Sequence, residues 1–294
     1  MRLDDEQESG NFEIQTPGSS QAGFGGGGGL GLLGMIVPFV FSRFGCGGLA
    51  VLGVVVLLFS GLGGIGSMVT GGGGSTSAPH QQTTPGQLSE IQRTSLKVLG
   101  STERRWTEIF AASGQRYTPT TLVFYSRNGQ SGCGAAQSAM GPFYCPADKK
   151  IYIDTQFFEE MKSRFNAPGD FPIGYIIAHE VGHHIQNLDG TADQVNRAQQ
   201  RASRAQGNAL QVSMELQADC YAGVWAANDK NLLEPGDVEE GLGAAQAIGD
   251  DTLQRAAGQR PVPESFTHGS SAQRQLWLTR GLQSADPAQC NTFG

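Results

Sequence analysis

The stretch IIAHEVGHH, residues 176–184, places His179, Glu180 and His183 in the spacing H-E-x-x-H. On an α-helix, positions four apart share a face, so both imidazoles can converge on one metal ion while Glu180 stays off the ligand set. Ile177, Val181 and Ile185 form an i, i+4, i+8 ridge about 200° around such a helix from the two histidines. One face is thus left to pack and the opposite face is free for a site. His184 lies about 100° around from His183, cannot join His179 on a common face, and reads as a flanking or structural histidine.

Catalytic zinc takes three protein ligands and keeps one position open. The candidate third ligand is Glu215 in MELQADCYAGVW, four residues before Asp219. Two acids four apart are commonly a solvated helix face, but the neighbours here are largely apolar, and acids in such a helix need a partner. Zn2+ and its histidines would provide one. Glu215 becomes the ligand, and Asp219, one turn on, accepts the other ring N–H of His179 and fixes its tautomer.

The elements that must carry these residues are mostly helical. Strands are expected at residues 121–125 and 150–154, and helices near 88–112 (interrupted near Gly100), 155–165, 173–187, 193–205, 209–228, 238–248 and 270–282. Strands do not alternate with helices, so the class is α+β with a small sheet. The net charge of -7 and the lack of a dense Lys/Arg run argue against nucleic acid as a partner.

The first third of the chain is a different kind of polypeptide, holding 22 of the 43 glycines within 74 residues. Residues 1–29, acidic and then Gly-rich, are expected to be a disordered cytoplasmic segment. Residues 30–70 are expected to form a membrane anchor, because 44–69 is an uncharged, largely apolar run and about 20 apolar residues suffice to span a bilayer. Residues 71–87 read as a flexible tether and 88–294 as the working domain. Arg43 precedes the run, which gives a single-pass protein a cytoplasmic N-terminus and an external domain. Cys133, Cys145, Cys220 and Cys290 suit an oxidising compartment. They allow three connectivities, and pairing neighbours first joins Cys133 to Cys145 and Cys220 to Cys290.

HEVGHH followed by ELQADCYAGVW resembles the gluzincin type of metallopeptidase. CGAAQSAMGPFYCPADKKIYID (133–154), GAAQAIGDD (243–251) and ESFTHGSSAQRQLW (264–277), taken with those two segments, are similar to the bacterial putative neutral zinc metallopeptidase family of membrane-anchored proteins. The likeness spans roughly residues 88–282 and implies a zincin-like fold and hydrolysis of a peptide or protein substrate. It also implies that the membrane is the bacterial inner membrane, with the domain facing the periplasm or exterior. Glu180 would then act as general base toward a zinc-activated water. The oxyanion needs a further donor, for which His268 is the first candidate and Tyr221 the second. A helix-entry residue without chemistry is the plain alternative for His268. Residues 150–154 could offer a strand edge to an extended substrate. The competing function is a non-catalytic envelope binding or scaffold protein with the same fold and a structural zinc.

Overall fold

A computed structural model describes residues 1–15, 88–164, 169–229 and 231–293. Its described part is a mostly helical α+β fold with a small mixed sheet. Strands β1 (Phe12–Ile14), β2 (Thr121–Tyr125), β5 (Phe143–Cys145) and β6 (Lys150–Asp154) form a sheet in the order β1-β2-β6-β5. The first three in that order run parallel and β5 is antiparallel to β6. β3 (Asn128–Ser131) and β4 (Gly134–Gln137) make a separate hairpin. Buried Leu122, Phe124, Ile151 and Ile153 alternate along β2 and β6 and join the main core, while Val123 and Tyr152 pack on the other face.

The helices are α1 (Glu90–Ala112), α2 (Gln156–Arg164), α3 (Phe171–Leu188), α4 (Thr191–Gln199), α5 (Arg204–Asn228), α6 (Asp237–Ala247), α7 (Asp250–Ala256) and α8 (Ser271–Ser284). Ser89, Ser203 and Ser270 start α1, α5 and α8 with reciprocal capping boxes to Gln92, Gln206 and Gln273. Helix α5 lies against both α3 and α8, and glycines set the spacing. A methyl group on Gly182 of α3 would lie 2.9 Å from the Cα of Ala218, and one on Gly281 of α8 would lie 2.0 Å from the carbonyl oxygen of Cys220. These approaches bring His179 and His183, Glu215 and Asp219, and the later Arg274 into one neighbourhood. Disulfides join Cys133 to Cys145, tying the β3–β4 hairpin to β5, and Cys220 to Cys290, pinning the last turn to α5.

Three expectations need correction. Helix α1 is continuous: Gly100 does not interrupt it but lets residues 7–9 cross it, since a Cβ there would meet the carbonyl oxygen of Gln7 at 2.3 Å. β6 is interior, flanked by β2 and β5, so residues 150–154 offer no free edge. The N-terminal segment is ordered over residues 1–15: Met1 and Leu3 are buried, β1 pairs with β2, and Ser9 donates its N–H to the carbonyl of Leu96. Its own apolar content is low. The order comes from partners elsewhere, including Asp170 and Asp237, which bind the Met1 ammonium at 2.8 and 3.0 Å.

That last point overturns the membrane-anchored architecture. Among the described residues no helix is long and apolar enough to cross a membrane. The run at 44–69 and the tether at 71–87 lie outside the described residues. The described residues before and after 16–87 pack into one body, so both flanks of that stretch lie on the same domain. A single crossing would separate those two parts, which excludes the topology with a cytoplasmic N-terminus and an external domain. The single-pass inner-membrane placement, and the lipid bilayer as partner, are withdrawn with it.

Candidate metal centre

His179 and His183 project from one face of α3, with Glu215 opposite on α5. One carboxylate oxygen, Glu215 Oε2, lies 3.2 Å from His179 Nε2 and 3.5 Å from His183 Nε2. One ligand atom from each residue falls within 4.8 Å of the others, so the cluster could hold a metal ion. Two imidazole nitrogens and one carboxylate oxygen suit zinc. Burial opposes a charge on Glu215, but His183 and His179 outweigh it and hold this carboxyl well below the usual range. Its other oxygen accepts from Gln211 Nε2 at 3.0 Å.

The candidate ligands are held from behind, and this second set of contacts supports the fit. His179 Nδ1 lies 2.8 Å from Asp219 Oδ1. Asp219 is fully buried and takes a fork from Arg274 of α8, Nε to Oδ2 at 2.9 Å and Nη2 to Oδ1 at 2.8 Å, plus the Tyr175 hydroxyl at 2.6 Å. Burial alone would raise its pKa, yet Arg274 and His179 lower it to about 2. On the ionised carboxylate the His179 proton sits on Nδ1, leaving Nε2 free to coordinate. His183 Nδ1 has a neutral partner, Gln186 Oε1, at 2.9 Å.

Glu180 is the acid beside the cluster that is not among its ligands. It is 6% exposed, and burial pushes its carboxyl up against the opposing pull of His183 and His179. The backbone N–H of Tyr144 in β5 hydrogen-bonds to it, while its Oε2 has no partner among the described residues.

The putative neutral zinc metallopeptidase family matches this chain over residues 1–293. The chain belongs to that family. The match includes the N-terminal strand segment that packs on the domain. Uncharacterized protein YpfJ of Escherichia coli (strain K12) is 45% identical over 298 residues, covering 100% of this chain and 99% of its own length. Uncharacterized protein Rv2575 of Mycobacterium tuberculosis (strain H37Rv) is 45% identical over 190 residues, 60% of this chain and 63% of that protein. No solved structure matches.

The remaining histidines of this family member separate by environment. His184 points away from the cluster: Nε2 donates to the carbonyl of Thr118 at 2.7 Å and Nδ1 receives the Tyr144 hydroxyl at 3.0 Å. Burial lowers its pKa. His268 precedes α8, 41% exposed and close enough to Glu215 for each to shift the other's titration. Its Nδ1 lies 3.2 Å from Asp250 Oδ1, and Asp250 Oδ2 accepts the backbone N–H groups of Thr267, His268 and Gly269. Tyr221, the second donor candidate, lies on another flank of α5, edge-on to Trp106 at 5.4 Å. His80 falls outside the described residues.

Burial lowers the His268 pKa, but Asp250 more than offsets it and raises the value to about 8. The imidazolium–carboxylate pair is therefore fully formed below the unfolded value near 6.5 and is lost as pH rises through about 8. NMR titration of the zinc-free chain should show a His268 midpoint near 8 that falls toward 6.5 in Asp250→Asn. An unmoved midpoint would remove Asp250 as the cause.

Sequence reasoning missed Tyr175, Gln186, Gln211, Arg274, Asp250 and Tyr144. Local spacing could have suggested two of them, since Tyr175 is four residues before His179 and Gln186 three after His183.

Proposed function

We propose that this chain binds zinc through His179, His183 and Glu215 and hydrolyses peptide bonds, with Glu180 as general base. The observation that carries the reading is the buried Glu180 carboxylate, with one unpartnered oxygen, beside a cluster of three ligands. A closed structural zinc site ordinarily has four protein ligands and no use for such an acid.

Zinc bound there would supply Lewis acidity, acidifying water and polarising a carbonyl. The protein's own groups account for the rest. Glu180, with its proton affinity raised by burial, takes a proton from the attacking water and delivers it to the departing amine. Asp219 and Gln186 keep both histidines oriented. His268, held by Asp250, donates toward the oxygen that gains charge. The substrate class is peptide or protein. The single-pass anchor, and the envelope placement that rested on it, form no part of this reading.

One observation favours a second reading, a domain of this family that binds partners and keeps its metal for structure. His179, Glu180 and Glu215 are only 5%, 6% and 6% exposed. Two hollows of about 500 and 630 Å³ lie elsewhere, around α4, α5 and the C-terminal residues. The full chain, loaded with zinc and offered a peptide library, separates the two. Under the proposed function it cleaves, stops when a chelator strips the metal, and recovers on adding zinc. A chain that holds one zinc and cleaves nothing supports the structural role.

A further inference from the structure

His183 presents Nε2 toward Glu215 at 3.5 Å and Nδ1 toward Gln186 Oε1 at 2.9 Å. In a neutral imidazole one nitrogen carries the proton and the other the lone pair, and the contacts of the ring decide which. At Gln186 the hydrogen-bond account is closed. Its Nε2 donates to the carbonyl of Met214 at 2.7 Å and to Gln217 Oε1 at 2.9 Å, using both amide hydrogens. The atom left for His183 is Oε1, which can only accept. His183 must therefore carry its proton on Nδ1, leaving Nε2 bare on the side where a metal would sit.

The order of atoms in the Gln186 amide is itself imposed from outside α3. Reversing it would set its oxygen against the Met214 carbonyl, another acceptor. Gln217 is fixed in the same way: its Oε1 is taken by Gln186, so its Nε2 donates to the carbonyl of Cys290 at 3.2 Å. Cys290 is bonded through its sulfur to Cys220 on α5. Gln186 is 0% exposed, Gln217 7% and Cys290 1%, so solvent is poorly placed to replace a lost partner. Met214 also precedes Glu215 directly, so one amide orients a histidine ligand and docks the turn that carries the carboxylate ligand.

On the reading that His179, His183 and Glu215 hold zinc, we propose that Gln186, Gln217 and the backbone carbonyl of the disulfide-anchored Cys290 form a relay of positioning groups that fixes the His183 tautomer and so sets metal affinity. The two histidines are held by different means. A buried ion pair serves His179, and an ordered chain of neutral amides ending at the C-terminal disulfide serves His183.

The test measures zinc affinity of the full chain by chelator competition and the visible bands of the cobalt-loaded chain, which report ligand geometry. Gln186→Met, close in shape and without an acceptor, should bind zinc about 10–100-fold more weakly and shift the cobalt bands. Gln217→Met, one step farther out, should shift both in the same direction by less, and it tests the relay if Gln186→Met does not fold. The double variant should bind no more weakly than Gln186→Met alone, because both substitutions break one chain. Replacing Cys220 and Cys290 together with Ala should weaken zinc binding as Gln217→Met does. Parent-like affinity in Gln186→Met, or losses that multiply in the double variant, overturns the relay. Parent-like affinity in the double-Ala variant overturns the part assigned to the C-terminal turn. A parent chain that binds no zinc overturns the metal reading and the relay with it, whereas a zinc-binding parent with indifferent glutamines overturns the relay alone.

Discussion

Replacing Glu180 by Gln should leave the chain loaded with zinc and reduce peptide cleavage by about 10²–10⁴-fold, the usual share of a general base. The amide nearly matches the carboxylate in shape and can still accept the N–H of Tyr144, so packing in this buried site changes little. What it cannot do is take a proton. Glu180 is also not one of the three residues whose ligand atoms converge, so metal content should hold. Zinc analysis and single-turnover cleavage on the same sample decide the matter. Cleavage at the parental rate would remove Glu180 from the mechanism, and loss of zinc would make it a ligand instead.

The largest stability effect is expected at Arg274. Arg274→Met leaves the fully buried Asp219 with Tyr175 and His179 but without its cation. Breaking one side of a buried pair typically costs about 3–5 kcal/mol, because the remaining charge has no solvent to return to. Denaturant unfolding of the zinc-free chain measures it. The pH dependence follows from the lowered Asp219 pKa. The stability it contributes is present above the unfolded value of 3.8 and is lost as pH falls toward about 2. Without Arg274 the folded pKa should rise and acid unfolding should begin at higher pH. Asp219→Asn in the Arg274→Met background should recover part of the loss, since it removes the stranded charge. A change in stability below about 1 kcal/mol would place the pair among those worth little, as exposed pairs are.

The parts of this molecule that could be read in the sequence are those whose partners are close in the chain. The faces of α3 and α5 follow from residues four apart, which is why His179 groups with His183, and Glu215 with Asp219, from the sequence alone. The buried runs at 121–125 and 150–154 announced two strands in the same way. β1 could not be found, because FEI is three residues long and becomes a strand only against β2. Arg274 lies 55 residues from Asp219. Nothing local marks it, although a charge buried on α5 implied that some cation had to exist. Gly100 is ambiguous in sequence for a related reason: in a helix the same residue can weaken the turn or admit a crossing chain, and only the crossing chain tells them apart. The membrane topology failed most completely, because hydropathy describes what a segment can dissolve in and is silent about whether its two flanks belong together.

The pairing of β1 with β2 also bears on the order of events during synthesis. Phe12 is in register with Leu122, 110 positions later. At about 5–20 residues per second, β1 would leave the ribosome roughly 5–20 s before the strand it must join. Until then its polar, acidic sequence has little to collapse onto, and afterwards the contact still requires closing a long loop, which slows folding. The strand made first is thus among the later pieces to find its place.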